Sequence, residues 1–242
     1  MSPAVAAMPG PAPALQAVGL AKRFGGQWAV AEVDLSLTAG EGLLVAGRNG
    51  SGKSTLLRLI AGALRPDRGE VAIAGRADRT GRLARSALLG HASATYEPLT
   101  ALENLSLFAR LLGRPADRHT LLGRLDEVGL AGQGDSLVET FSAGMHQRLS
   151  LARLLLQQPA VALLDEPHSA LDPAGLTLVD SLVARMRRAG TAVVIASHDL
   201  RRAAALCDRA VLLESGRIQW AGPVAEFLAR FGAEPAWAEG AG

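Results

Sequence analysis

The chain has 242 residues, 49% of them hydrophobic, with a formal net charge of +2 and one cysteine, Cys207. That supplies the core of one substantial domain, or of one domain with a subdomain. The near balance of charge excludes the concentrated basic stripe of a nucleic-acid binder, and a lone thiol excludes an internal disulfide.

Residues 1–14 are rich in Ala and Pro and lack the basic start and apolar stretch of a signal peptide. They read as a disordered extension, as does the tail at 232–242. No apolar run reaches the ~18–20 residues that span a bilayer. The expectation is a cytoplasmic chain that meets a membrane only through a partner.

Leu15 to Leu37 alternates in short stretches around Gly25-Gly26 and reads as small antiparallel strands. Leu43-Leu44-Val45-Ala46 is a buried strand, and Leu56 to Ala61 is a helix. Pro66-Asp67-Arg68-Gly69 forms a turn before a short strand at Val71 to Ala74. From about 100 to 158 the apolar residues recur at helical steps, first Leu102, Leu105, Phe108 and Leu112, then Leu121, Leu125 and Val128. Gly113 and Pro115 separate the two runs. Strands at Val161–Leu164, Val193–Ile195 and Val211–Leu213 then alternate with helices over roughly 174–188 and 199–206. That alternation predicts an α/β fold built on a parallel sheet with crossover helices.

Between the first buried strand and its helix lies Gly47-Arg48-Asn49-Gly50-Ser51-Gly52-Lys53-Ser54-Thr55. Its glycines let backbone N–H groups approach an anion, and the helix start adds unpaired donors and a positive dipole end. Lys53 then reaches the β- and γ-phosphates, and Ser54 ligates Mg²⁺. Lys53 is one of only two lysines, with Lys22, in a chain whose other cations are arginines. That bias suggests that the site needs a compact ammonium.

Two acids, Asp165 and Glu166, end the strand at Val161–Leu164. Asp165 can approach the metal near Ser54, and Glu166 can polarise an attacking water. His198 closes the next strand, where neighbouring strand ends converge on one crevice, and can contact the γ-phosphate. Phe141 to Arg148 opens a helix capped by Ser142, with Gly144 permitting close approach. By itself that feature is an ordinary capped helix.

In this order the motifs resemble the ATP-binding subunit of ABC transporters over about residues 15–225. Ser142-Ala143-Gly144 is similar to the family's signature motif, Ser169-Ala170-Leu171-Asp172 to its D-loop, and His198 to its switch histidine. The resemblance implies a P-loop NTPase core with a parallel sheet, a small N-terminal antiparallel β subdomain and an inserted α-helical subdomain at about 98–158. The whole ATP-binding domain would occupy 15–231. It further implies a homodimer that sandwiches ATP and Mg²⁺, with Ser142 and Gly144 of one copy closing the phosphate loop of the other and Asp172 among the nucleotide-binding residues. Integral membrane permease subunits would be the other partners, which places the chain on the inner face of the cell membrane. Phe24 matches an adenine-stacking aromatic; its alternative is a core Phe of a small sheet.

Gly90-His91, Tyr96 to Leu105 and Phe108 to Leu111 are similar to the ATP-binding subunits of cytochrome c maturation heme exporters (CcmA type), as is Phe141 to Arg153. Heme export is the expected cargo reaction. Three departures from the ABC pattern stand out: His91-Ala92-Ser93 replaces the usual coupling-loop glutamine, Ala143 a usual glycine and Met145 a usual glutamine. Met145 also occurs in antibiotic exporters, and that reading stays open here. A soluble ABC-type regulator is a third alternative, although the chain has neither a long coiled-coil insertion nor a duplicated ATPase domain.

Overall fold

The computed structural model describes residues 13–90 and 95–232. The expected disorder of both termini and the departure at His91-Ala92-Ser93 therefore lie outside the described residues, except at Gly232, whose N–H donates to the Leu228 carbonyl at 2.8 Å, and at the inner end of the first segment. There Ala14 is buried, and its carbonyl accepts a hydrogen bond from the Ala74 N–H at 2.9 Å.

In chain order the elements begin with β1 (Leu15–Phe24), β2 (Gln27–Leu37), β3 (Gly42–Ala46), α1 (Lys53–Ala61) and β4 (Arg68–Ile73). They continue with α2 (Arg79–Arg85), β5 (Ser86–Leu89), α3 (Ala101–Leu111), α4 (Arg118–Glu127) and α5 (Ala143–Gln157). The last third holds β6 (Val161–Asp165), α6 (Pro173–Arg188), β7 (Ala192–Ala196), α7 (Leu200–Ala204), β8 (Arg209–Glu214), β9 (Arg217–Pro223) and α8 (Val224–Phe231).

Two sheets result. β2-β1-β4 is a three-stranded antiparallel sheet, and the main sheet runs β5-β6-β7-β3-β8-β9. Its first five strands are parallel; β9 pairs antiparallel with β8 along the sheet edge. The parallel sheet expected from the β–α alternation thus carries one antiparallel edge strand. A tight Ser215-Gly216 turn, where both residues have positive φ, makes that hairpin.

The central strands are buried on both faces, which is why they read as unbroken apolar runs. Alternate residues point to different cores. Leu44, Leu164, Ile195 and Leu212 pack against the helices, including α3 to α6. Leu43, Val45, Leu163, Val194 and Val211 pack against α1 and the three-stranded sheet. β3 is therefore clamped between two apolar layers, and its carboxyl end, where the phosphate loop begins, is rigidly placed.

α3, α4 and α5 form the helical insertion between β5 and β6. Thr100 starts α3 with a capping box: its hydroxyl accepts from the Glu103 N–H at 3.2 Å, and Glu103 accepts from the Thr100 N–H at 2.8 Å. The helix expected over 199–206 is shorter, Leu200–Ala204.

Candidate functional site

The loop from Gly47 to Gly52 leaves β3 and enters α1 through close backbone contacts. A Cβ on Gly52, at φ 107°, would lie 2.1 Å from the Ala29 carbonyl oxygen. One on Gly47, at φ 148°, would lie 2.2 Å from that of Leu213. Neither position accepts a side chain. The loop is tied to the rest by the Gly216 N–H, which donates to the Ser51 carbonyl at 2.9 Å.

Lys53 is the first residue of α1 and is buried. Its ammonium donates to the carbonyls of Gly47 at 2.7 Å and Arg48 at 3.0 Å, so the side chain is folded back over the loop. Burial lowers the Lys53 pKa below its ordinary value, and the charges of Glu166 and Asp165 oppose that shift.

Lys53, Ser54, Thr55, Asn49, Gly50, Gly52, Asp165 and Glu166 line one cleft of about 200 Å³, together with Ala29. The two acids reach it because β6 lies one strand removed from β3, with β7 between them. Asp165 is buried. Glu166 has left the strand with φ 52°, a left-handed conformation that a non-glycine residue adopts at a cost of about 1–3 kcal/mol. Its N–H donates to the Ala196 carbonyl at 2.8 Å, which ties the ends of β6 and β7.

At the end of β7, His198 Nδ1 lies 2.8 Å from Glu166 Oε2, and the Ser197 hydroxyl donates to the same oxygen at 3.2 Å. The Glu166 side chain is only 12% exposed, whereas that of His198 is 77% exposed. The carboxylate is therefore held from within while the imidazole faces out of the chain.

The expected residues beyond this cleft fall elsewhere. Phe24 is 51% exposed, which removes the core alternative; it pairs with Gln27 at the end of the β1–β2 hairpin, two residues before Ala29. Ser142 caps α5 by accepting from the Met145 N–H at 3.3 Å, and a Cβ on Gly144 would lie 3.1 Å from the Ala170 carbonyl oxygen. Neither Ser142 nor Gly144 lines the cleft. Asp172 caps α6 through the Gly175 N–H at 2.9 Å and pairs with Arg148 of α5 at 2.9 Å. Those partners hold its carboxyl below the usual range, the Gly175 bond first. Within one chain its oxygen serves the junction of α5 and α6.

Several contributors carry no motif of their own. Ala29 supplies a wall and a carbonyl from the other sheet. Ser197 reaches Glu166, a role its place beside His198 hints at. Gln147 of α5 donates to the Pro167 carbonyl at 3.1 Å, joining the signature helix to the segment after Glu166.

The site's chemistry fits a phosphate ligand. Ser51 Oγ is buried with no hydrogen-bond partner, beside a glycine-built loop and a buried ammonium. Hydroxyl and carboxylate oxygens from Ser54 and Asp165 share the cleft, a donor set suited to a hard divalent cation. Among the described residues no group of three or more His, Cys, Asp or Glu forms a metal cage. A cation here would depend on phosphate oxygens and water for its remaining ligands.

A loop of this kind between a parallel strand and its helix, facing acids at a nearby strand end, defines a P-loop nucleoside triphosphatase. The ABC transporter family model matches residues 30–169. The cytochrome c biogenesis ATP-binding export protein CcmA of Xanthomonas campestris is 42% identical over 184 residues, which cover 76% of this chain and 86% of the relative. The solved structure of an ATP-binding subunit of an ABC transporter superposes with TM-score 0.82 at 28% identity, covering 90% of this chain and 93% of that one. A dimeric ATP-binding cassette in a post-hydrolysis state, bound to ADP and Pi, superposes with TM-score 0.79 at 26% identity, covering 87% and 98%. The chain belongs to the ABC transporter family, as its ATP-binding and ATP-hydrolysing subunit.

Proposed function

We propose that this subunit powers export of heme for cytochrome c biogenesis, as a homodimer docked on integral membrane permease subunits at the inner face of the cell membrane. The convergence of Lys53, Ser54, Asp165 and Glu166 on one cleft, in a chain similar to a cytochrome c biogenesis export protein, carries this reading. Among the described residues no helix is long and apolar enough to cross a membrane, so the pathway would belong to the partner subunits. Residues 15–231 serve as one ATP-binding domain, with 98–158 as its helical subdomain.

The loop from Gly47 to Thr55 cradles the ATP phosphates, with Lys53 on the β- and γ-phosphates and Phe24 stacked on the base. Ser54 and Asp165 would hold Mg²⁺, which when bound supplies charge stabilisation to the transferring phosphoryl group. Glu166 acts as general base: it orients a water at the γ-phosphorus and takes its proton as the bond to the β–γ bridging oxygen breaks. His198 positions that carboxylate through Nδ1 and leaves Nε2 to meet the γ-phosphate. Ser142 and Gly144, remote from the cleft of their own chain, close the cleft of the second copy, with Asp172 beside them. A dimeric cassette with ADP and Pi among the structural relatives supports this arrangement.

Deletion of the gene and complementation with the normal sequence or with Lys53→Ala tests the cargo reading. Heme-stained c-type cytochromes should disappear in the deletion and return only with the normal sequence. Unchanged c-type cytochromes, with raised sensitivity to exported drugs, would contradict heme export.

A further inference from the structure

Behind the Glu166–His198 contact, three polar side chains outside the cleft join the same two segments a second time. The Asp180 carboxylate, on α6, accepts from His168 Nε2 at Oδ1 (2.9 Å) and from Arg202 Nη1 at Oδ2 (2.5 Å). His168 stands two residues after Glu166, and the Ser169 N–H closes that turn onto the Glu166 carbonyl at 3.1 Å. Arg202 lies on α7, whose N-cap is Asp199, the neighbour of His198.

The connections form a closed ring. From Arg202 the chain of bonds returns through its own N–H to Asp199 (3.1 Å), through the Asp199 N–H to Ser197 Oγ (3.1 Å), and from that hydroxyl to Glu166 Oε2 (3.2 Å). His168 is the buried member, with a side chain only 6% exposed, and its Nδ1 is buried without a hydrogen-bond partner. The Asp180 carboxylate can only accept, so the His168 Nε2 that faces it is the donor of that bond. The Arg202 guanidinium balances the carboxylate charge.

We propose that Asp180 is a positioning residue, holding the Glu166 and His198 segments in register through His168 and Arg202. This rests on the catalytic reading of Glu166 and His198 given above. Asp180 and Arg202 are about one-third exposed, so their ion pair adds little to fold stability. Hydrolysis, in contrast, is sensitive to small displacements of the groups around the attacking water.

Steady-state ATP hydrolysis by the purified full chain tests this with His168→Leu, His168→Gln, Asp180→Ala and Arg202→Gln. Leu keeps the apolar bulk without the donor, whereas Gln places an amide N–H near the position of Nε2. His168→Leu and Asp180→Ala should lower kcat about 10- to 100-fold. KM for ATP should stay within about twofold. His168→Gln should recover most of kcat. Arg202→Gln, at a position about one-third exposed, should give an intermediate loss and covers the case in which a His168 variant does not fold.

Normal kcat in Asp180→Ala and Arg202→Gln would overturn the proposal, as would a loss in His168→Leu that Gln does not recover. Glu166→Gln is run beside them. Its inactivity alongside normal Asp180→Ala would refute the positioning role alone, whereas normal turnover in Glu166→Gln would refute the catalytic reading and this proposal with it.

Discussion

Glu166 Oε2 and His198 Nδ1 lie 2.8 Å apart, joining the ends of two adjacent parallel strands. The contact makes the imidazole a support for the carboxylate, because one ring nitrogen is committed and the ring itself faces outward. His198→Ala should therefore lower ATP turnover about 10²- to 10⁴-fold, the range of a lost acid–base or positioning group. The melting temperature should hardly move, since the side chain is 77% exposed. Phosphate-release kinetics with thermal unfolding check this; normal turnover would remove His198 from the reaction.

Lys53 folds back onto two loop carbonyls, a geometry that a compact ammonium satisfies and a planar guanidinium does not. Lys53→Arg, in a chain where arginine is otherwise the preferred cation, should weaken ATP binding at least about tenfold with the fold intact. Titration with a fluorescent ATP analogue, alongside circular dichroism, reads both quantities. Affinity equal to that of the normal chain would contradict the assignment.

Phe24 stands exposed at the hairpin end, with the Lys22 ammonium 5.6 Å from its ring centroid. Phe24→Ala should weaken ATP binding by about 1–3 kcal/mol, the scale of base stacking on an aromatic ring. Phe24→Tyr should retain affinity. Calorimetry with ATP and with inorganic triphosphate separates the two contributions: only the nucleotide should notice the change.

The phosphate loop was legible because its spacing is fixed by backbone geometry that few sequences supply by chance, and the acidic strand end and His198 because each closes an apolar strand behind it. The buried strands β3, β6 and β7 were legible for the same reason that they are stable, being apolar on both faces. α2 and β5 were not. Arg79 to Arg85 is polar with Gly81 inside it, and Arg82 is used to donate to the Leu59 carbonyl at the end of α1, a tertiary contact with no sequence signature. Ser86 to Leu89 is too short to show a period and is a strand because β6 offers it an edge. β9 and α8 were missed likewise: β9 alternates exposure at a sheet edge, and α8 is held by the ring cluster of Trp220, Phe227 and Phe231. The Asp180 ring was invisible because its members are separated in sequence and share no motif.

Cys207 sits in the helix-side core, and burial pushes its thiol pKa up to about 12. A raised thiol pKa means little thiolate at neutral or mildly alkaline pH, so the native protein should resist iodoacetamide at pH 8 and react once unfolded in guanidinium. Mass spectrometry after timed labelling checks this. Stoichiometric labelling of the native chain would show that the region around α7 opens readily.

On the proposed function the cleft is half of a nucleotide site, closed by a second copy and reopened when Glu166 completes hydrolysis. Light scattering of purified Glu166→Gln with and without ATP and Mg²⁺ tests it most directly, with bound nucleotide counted in the same fractions. The expected result is a monomer without nucleotide and, with it, a dimer retaining two unhydrolysed ATP molecules. A variant that stays monomeric with ATP, or that hydrolyses ATP at the normal rate, would show that the cleft does not work in this way.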